Sequence, residues 1–403
     1  MNDRERFHAV MNYGEFDRGI IQDFAYWHET VDVWHLYGLP RDVDRSNSEK
    51  FFGLDPFWHG IGARTMLWPP FETKTLEDDG THVTYMESDG TILKKHKYMS
   101  SIPEHVGHTL TDRQSWEKHY KWRLDPTRED RIPEDIADAL AANADAVRTW
   151  PLSTDAGSLF GRIRNWMGLL GVTYIQADDP ELFEEMVSTV ADCIVGTLER
   201  FLPMAAEAGV TFDRANMWED MSCGTGPLMP LRSFNDLLVP QYKRISSLLR
   251  KHGCNYIMLD SDGDVRALIP GWLAGGVNIT FPLEVGTWSQ EPVSMREQFE
   301  RDLRICGGFD KHILARSTDD IAREIDRLAP LVEQGGCVPF CDHRVPPDVP
   351  FENYLFYVQR AKEVWGKGLD NLRPTGKPDT SAPLYGQPYD YSRAVEMVNA
   401  GRQ

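Results

Sequence analysis

Five short stretches of the 403-residue chain end an apolar run in charge: Trp218-Glu219-Asp220, Asp260-Ser261-Asp262-Gly263, Leu283-Glu284, Phe309-Asp310-Lys311 and Cys341-Asp342-His343-Arg344. A buried strand gains nothing from a carboxylate at its end, so each stretch needs a reason. Asp260 and Asp262 are two residues apart and point the same way in an extended chain. Two hard oxygens and an imidazole from another strand make a divalent-metal set, and His343 is the imidazole on offer. Asp260, Asp262 and His343 are therefore the expected metal ligands, with Cys341 as an alternative. The plainer reading is that Asp262-Gly263 is a turn and that Asp260 caps the following helix. Cys337, Cys341 and His343 share strand parity, as soft ligands would, but strand-borne cysteines are more often small buried apolar residues.

The same stretches supply acid–base candidates. Glu219 follows an indole, and a carboxyl in such surroundings holds its proton to higher pH. The alternative for Glu219 is a solvated loop carboxylate. His343, between Asp342 and Arg344, suits a general acid–base or a hydrogen-bonded loop histidine. The expected catalytic residues are His343, Glu219 and Asp262. The expected substrate contacts are Trp218, Asp310, Lys311, Arg344 and Tyr26, with Lys311 either holding an anion or pairing with Asp310. Residues 23–70 are rich in aromatics such as Phe24, Trp27, Trp34, Phe57, Trp58 and Trp68. They suit either a pocket for an aromatic compound or core packing.

These residues need elements to position them. From about residue 145 the chain alternates strand, loop and helix. Strands are expected at 146–153, 210–218, 254–259, 276–281, 303–309 and 336–341, and "GIIQDFAYW" also looks strand-like. Between them, Pro180 opens a helix and Ser294 with Glu297 forms a capping box. "TDDIAREIDRLAPLVEQGG" puts Ile321, Ile325, Leu328 and Val332 on one face and stops at Gly335-Gly336. No G-x-G-x-x-G follows an early strand, which disfavours a dinucleotide fold. The expected class is α/β, a (β/α)8 TIM barrel. Its N-terminal elaboration contains a small antiparallel sheet, because "THVTYMESDGTILKKHKY" alternates around Asp89-Gly90 as a hairpin does. The expected divisions are 1–120 for the elaboration, 121–368 for the barrel and 369–403 for a C-terminal arm and short helix. In a parallel barrel the chemistry gathers at the C-terminal strand ends, so the five charged stretches should converge on one mouth.

Composition bounds the partners. A net charge of −19 argues against nucleic acid and against an anionic membrane surface. Six scattered cysteines read as reduced thiols. The N-terminus lacks an apolar signal region, and no apolar run approaches the roughly 18 residues of a span, so a cytoplasmic protein is expected.

"MNDRERFHAVMNYGEFDR", "NWMGLLGVTYIQADDPELFEEMV", "GGFDKHILARSTDDIAREI" and "GGCVPFCDHRVPPDVPFENYLFYVQRAKEV" together resemble the uroporphyrinogen decarboxylase superfamily. The resemblance covers most of the chain and implies a (β/α)8 barrel, usually dimeric. One branch decarboxylates porphyrinogens without a cofactor and grips them with an arginine-rich N-terminal motif. Here the corresponding "GIIQDFAYWHETVDVW" is acidic and aromatic. The other branch comprises zinc-dependent methyltransferases that work with corrinoid proteins or coenzyme M. They carry His-x-Cys at a strand end and a cysteine in the last strand region. Asp260-x-Asp262 stands at the first position, and the last-strand ligand falls within Cys341 to His343. This harder set suits an oxygen-centred methyl donor better than a thiol. The resemblance thus implies a methyltransferase, an O-demethylase component, moving a methyl group from a small O-methylated compound, aromatic ethers among them. It implies zinc as the metal, cobalamin on a separate corrinoid protein as acceptor, and a homodimer. The alternatives are a decarboxylase or lyase acting on a smaller acid held by Arg344 or Lys311, and a non-catalytic barrel protein.

Overall fold

A computed structural model describes residues 1–98, 102–368 and 376. The expected C-terminal arm and helix lie outside the described residues, Gly376 apart. The chain divides into two compact units. One comprises Met1–Phe57, Lys97–Ser101 and Phe281–Gln403; the other comprises Trp58–His96 and Ile102–Thr280.

The second unit opens with an antiparallel sheet of four strands: β1 (Lys74–Asp78), β2 (His82–Met86), β3 (Thr91–His96) and β4 (Glu104–His108). The hairpin at Asp89-Gly90 is present, with His82 opposite His96 and Met86 opposite Ile92. Gly90 takes a φ of +87° as the last residue of a three-residue loop closed between Glu87 and Thr91, a position that favours glycine. The two outer strands escaped the sequence reading. β1 is exposed along its whole length, so it shows no alternation between core and solvent.

Three parallel strands follow in this unit: β5 (Ser153–Asp155), β6 (Arg214–Trp218) and β7 (Tyr256–Asp260). With β8 (Ile279–Leu283), β9 (Arg304–Gly307) and β10 (Cys337–Val338) they follow one another in the sheet as in sequence. Most of the expected strands begin later than their apolar runs. Residues 146–152 show why. They are held by Arg148, which pairs with Asp213 and donates to the carbonyls of Trp150 (2.7 Å) and Thr211 (2.8 Å). The apolar run reports burial, but the ladder starts only where two strands come into register. "GIIQDFAYW" is not a strand; it makes a single bridge, Tyr26 with Val345.

Register decides which face of the sheet carries chemistry. Ser153 pairs with Arg214 and Asp155 with Asn216, while Arg214, Asn216 and Trp218 pair with Tyr256, Met258 and Asp260. These residues share one face. The other face holds Thr154, Ala215, Met217, Ile257 and Leu259, all fully buried. Each such apolar side chain contributes roughly 1.5–3 kcal/mol by burial.

The helices between strands are capped locally. Asp179 accepts from Leu182 N–H (3.0 Å) ahead of Pro180–Glu207, with Pro180 at the first helical position as expected. Thr318–Gln334 starts from a Ser317/Asp320 capping box, buries Ile321, Ile325, Leu328 and Val332, and ends at Gly335 and Gly336, both at positive φ. The expected box at Ser294 is absent. That helix runs Pro292–Phe299 behind Glu291, so Ser294 already lies inside its first turn. Proline preset the start one residue after Glu291 and displaced the serine from the cap position.

Candidate functional site

β6 leads directly into Glu219, which has no solvent exposure. Its Oε1 accepts from Leu159 N–H (2.8 Å) and the Tyr242 hydroxyl (2.9 Å). Its Oε2 accepts from Phe160 N–H (2.8 Å), Gly161 N–H (2.8 Å) and the Ser158 hydroxyl (3.3 Å). The carboxylate therefore occupies the N-terminus of the helix Phe160–Asp178, where backbone donors have no partner within the helix. Five donors meet about four lone-pair sites. Burial raises its pKa, and the hydrogen bonds to it act in the opposite direction. A Cβ at Gly161 would collide with the Glu219 carbonyl, which explains the glycine.

Asp220 follows at a φ of +42°. The N–H groups of Glu219 and Asp220 donate to the carbonyl of Asp260 (2.8 and 3.3 Å), and Asp262 N–H donates to Asp220 Oδ1 (3.1 Å). These bonds stitch the ends of β6 and β7 together. They bring one ligand oxygen from each of Asp220, Asp260 and Asp262 within 4.8 Å of one another. Burial raises the pKa of Asp220 first, and the charge of Asp262 raises it further. Gly263 takes a φ of +89° against the backbone of Ser222 and Cys223, so the Asp-Gly pair is a turn as well. Three partly accessible carboxylates suit a divalent cation, which relieves their mutual repulsion. With oxygen donors alone, the set fits magnesium, manganese or calcium as well as zinc.

Trp218, on the same face as Asp260, has two guanidinium groups near its ring, Arg162 at 5.0 Å and Arg164 at 5.5 Å. Arg164 also donates to the Asp220 carbonyl (2.7 Å) and stands 3.6 Å from its carboxylate. A cavity of about 710 Å3 is lined by Trp218, Asp220, Arg164, His105, His108 and Leu228, among others. Burial lowers the pKa of both histidines, and His108 Nδ1 donates to the Asn165 carbonyl (3.0 Å). The helix bends there at Gly168, whose φ of +75° lets the His108 ring pack against it.

Asp155, at the end of β5, also belongs to this face and was not anticipated. It is exposed, accepts from the Thr65 hydroxyl, and accepts from Gly157 N–H at 3.2 Å. The expected strand stopped at Ser153. Two more residues of alternation would have added an acid to the strand-end series.

The first unit holds the remaining candidates. Asp342 is fully buried and accepts from Val285 N–H (2.9 Å), Gly286 N–H (2.8 Å) and Lys311 N–H (3.1 Å). The Lys311 ammonium stands 3.6 Å from Asp342. Its ion-pair partner is thus Asp342 and not Asp310, which instead accepts from the backbone and ring of His312 (both 2.9 Å). Tyr26 is buried; its hydroxyl meets that of Tyr354 (2.7 Å), which donates to Asp23 (2.7 Å). Burial pushes Asp23 up to about 6 and holds the Cys341 thiol well above its usual value. His343 packs edge-on to Phe24 at 5.6 Å, and the Arg344 guanidinium lies over Phe24 (5.8 Å) and Trp27 (5.3 Å). Of the aromatics at 23–70, Trp34 and Phe57 are core, while Phe24, Trp27, Trp58 and Trp68 keep partial exposure. The expected metal set was Asp260, Asp262 and His343. Asp260 and Asp262 are grouped with Asp220 in the second unit, and His343 and Cys341 belong to the first.

A family model described as uroporphyrinogen decarboxylase (URO-D) matches residues 158–364, just over half of the 403 residues. The chain belongs to the uroporphyrinogen decarboxylase family and has its (β/α)8-barrel fold. Among solved structures, it is similar to a methyltransferase from Methanosarcina mazei. The TM-score is 0.57 and the identity 13%, covering 90% of this chain and 99% of the other. A B12-independent methionine synthase from Shewanella sp. W3-18-1 superposes with a TM-score of 0.37 and 10% identity, over 58% of this chain and 67% of the other. No curated protein matches the chain in sequence. Among the described residues, no helix is long and apolar enough to cross a membrane.

Proposed function

We propose that the chain is a methyltransferase that takes a methyl group from a small O-methylated donor, aromatic ethers among them, and passes it to cobalamin on a separate corrinoid protein. The observation that carries this reading is the trio Asp220, Asp260 and Asp262 at the ends of two adjacent parallel strands. These side chains would hold a divalent cation, zinc or a harder ion, and the ion would supply a Lewis acid for an ether oxygen. Trp218 offers an aryl group a flat apolar face. Glu219 acts by position: it fixes the helix whose first turns carry Arg162 and Arg164. Asp262 keeps its proposed catalytic role through the ion it would help to hold. For the first unit, the proposed roles are an acid–base group for His343 and an anion-binding guanidinium for Arg344. Lys311 and Asp310 shape the same strand end. A homodimer is the proposed working form.

The fold shared with a methyltransferase from Methanosarcina mazei supports the reading. The acidic strand ends count against a porphyrinogen substrate, because carboxylates repel a polycarboxylate. The test is methyl transfer to free cob(I)alamin across a panel of methoxylated compounds, together with metal analysis of the purified protein and of Asp262→Ala. Transfer from at least one donor is expected, with stoichiometric metal that the substitution removes. A metal-free protein that transfers from no donor would refute the reading.

A further inference from the structure

The cavity of about 710 Å3 beside Asp220 combines exposed apolar side chains with more enclosed charged ones. Its size falls in the range of roughly 300–1,000 Å3 that suits a small molecule. Ile102, Leu169 and Leu170 of its lining stand open to solvent, at 74%, 47% and 70% exposure. Arg164 and Asp220 have only 19% and 25% of their side chains exposed. Ile102 lies just ahead of β4, and Leu169 and Leu170 follow the break in the helix at Gly168. A folded chain gains nothing by holding three large apolar side chains in water, and such a group around a cavity marks a place that a ligand covers. The enclosed groups decide the ligand's polar end. Arg164 donates to the Asp220 carbonyl (2.7 Å) and to Asn165 Oδ1 (3.2 Å). A guanidinium has five N–H groups, so donors remain for a ligand. Asp220 Oδ1 already accepts from Asp262 N–H (3.1 Å), and its other oxygen lies 3.6 Å from Arg164. His108 does not compete for an anion: its Nδ1 donates to the Asn165 carbonyl (3.0 Å), and the neutral ring that burial favours presents a bare Nε2. Arg164 is thus the group that takes an anion, and a carboxylate matches its planar fork.

We propose that this cavity binds a monocarboxylate with an apolar body, the carboxylate on Arg164 and the body along Leu169, Leu170 and Ile102. One guanidinium serves one carboxylate, and the acidic trio repels further negative charge. Asp220 belongs both to this lining and to the trio, so the occupant lies next to the candidate cation site. The methyl donor is then an O-methylated carboxylic acid, and this part of the proposal rests on the methyltransferase reading.

The test is calorimetric binding of straight-chain carboxylates from butanoate to octanoate, and of the corresponding primary amides, to the full-length protein. Affinity for the carboxylates should rise about fourfold per methylene, the value of burying one CH2 group. Arg164→Gln should weaken every carboxylate by about tenfold or more, the value of one charge-assisted hydrogen bond, and the amides far less. Arg164→Lys should restore part of the loss. Leu170→Ser should flatten the rise for the longer chains, and because Leu170 is exposed this variant decides the matter if Arg164→Gln does not fold. Equal affinity for carboxylates and amides, or no rise with chain length, would overturn the proposal. If the carboxylates bind as expected and no O-methylated acid gives methyl transfer, the methyltransferase reading fails and the binding site stands.

Discussion

Replacing Glu219 by glutamine separates two roles that residue type alone leaves equal, a proton donor beside an indole and a fixed helix cap. The carboxylate accepts from three backbone N–H groups at 2.8 Å, from Tyr242 at 2.9 Å and from Ser158 at 3.3 Å. A glutamine keeps one accepting oxygen. With that oxygen toward Phe160 and Gly161, its NH2 group faces Leu159 N–H and the Tyr242 hydroxyl. Tyr242 can turn and accept; Leu159 N–H cannot. One buried donor is left unmatched, at about 1–3 kcal/mol, and the two kept backbone bonds lose their charge assistance. Removing a desolvated charge offsets part of this. The net destabilisation comes to roughly 2–3 kcal/mol, which is roughly 30- to 150-fold in a local opening equilibrium. Native-state hydrogen exchange reads it directly at the amides of residues 159–161, and urea denaturation reads the global share. Wild-type exchange and stability combined with lost turnover would refute the cap and restore Glu219 as a chemical acid.

Three further substitutions test neighbouring arguments. Gly161→Ala forces a Cβ onto the Glu219 carbonyl and should cost roughly 1–3 kcal/mol in urea denaturation; a neutral effect would mean that the helix start can shift. Asp213→Ala takes one carboxylate from buried Arg148, which keeps Asp145 (2.7 Å), and the acceptor from Leu152 N–H (2.8 Å), and should destabilise by about 1–3 kcal/mol; a neutral effect would show water filling the gap. For Asp23, the folded pKa of about 6 lies above the unfolded value, so the native state binds more protons between about 4 and 6. Its contribution is most favourable below that window and is lost as pH rises through it. Relative to Asp23→Asn, the wild type should therefore lose up to about 3 kcal/mol across the window. Urea midpoints measured over a pH series check this, and parallel curves for the two proteins would show that Asp23 ionises as it does in water.

Much of the frame is legible in the chain because its causes are local. The alternation after residue 145 marks strands and helices by their periods, Asp89-Gly90 marks a hairpin, and Pro180 and Gly335-Gly336 mark helix ends. Strand limits were less legible. Arg148 and Asp213 keep apolar residues out of the ladder through a pairing 65 residues apart. The error at Ser294 has a similar root: two valid start signals lay within three residues, and Pro292 won.

By itself the sequence determined that acids end the strands, that Asp260 and Asp262 share a face, and that the family is the uroporphyrinogen decarboxylase one. Only the tertiary structure decided what each acid does. Glu219 became a cap because Leu159, sixty residues earlier, points its N–H at it. Asp342 became a buried tie because Val285, Gly286 and Lys311 surround it. Asp220 joined Asp260 and Asp262 because two strand ends meet in register. A side chain's type sets which bonds it can make, but a carboxylate's role follows from the donors around it. Residues far away in sequence bring those donors, and only folding assembles them.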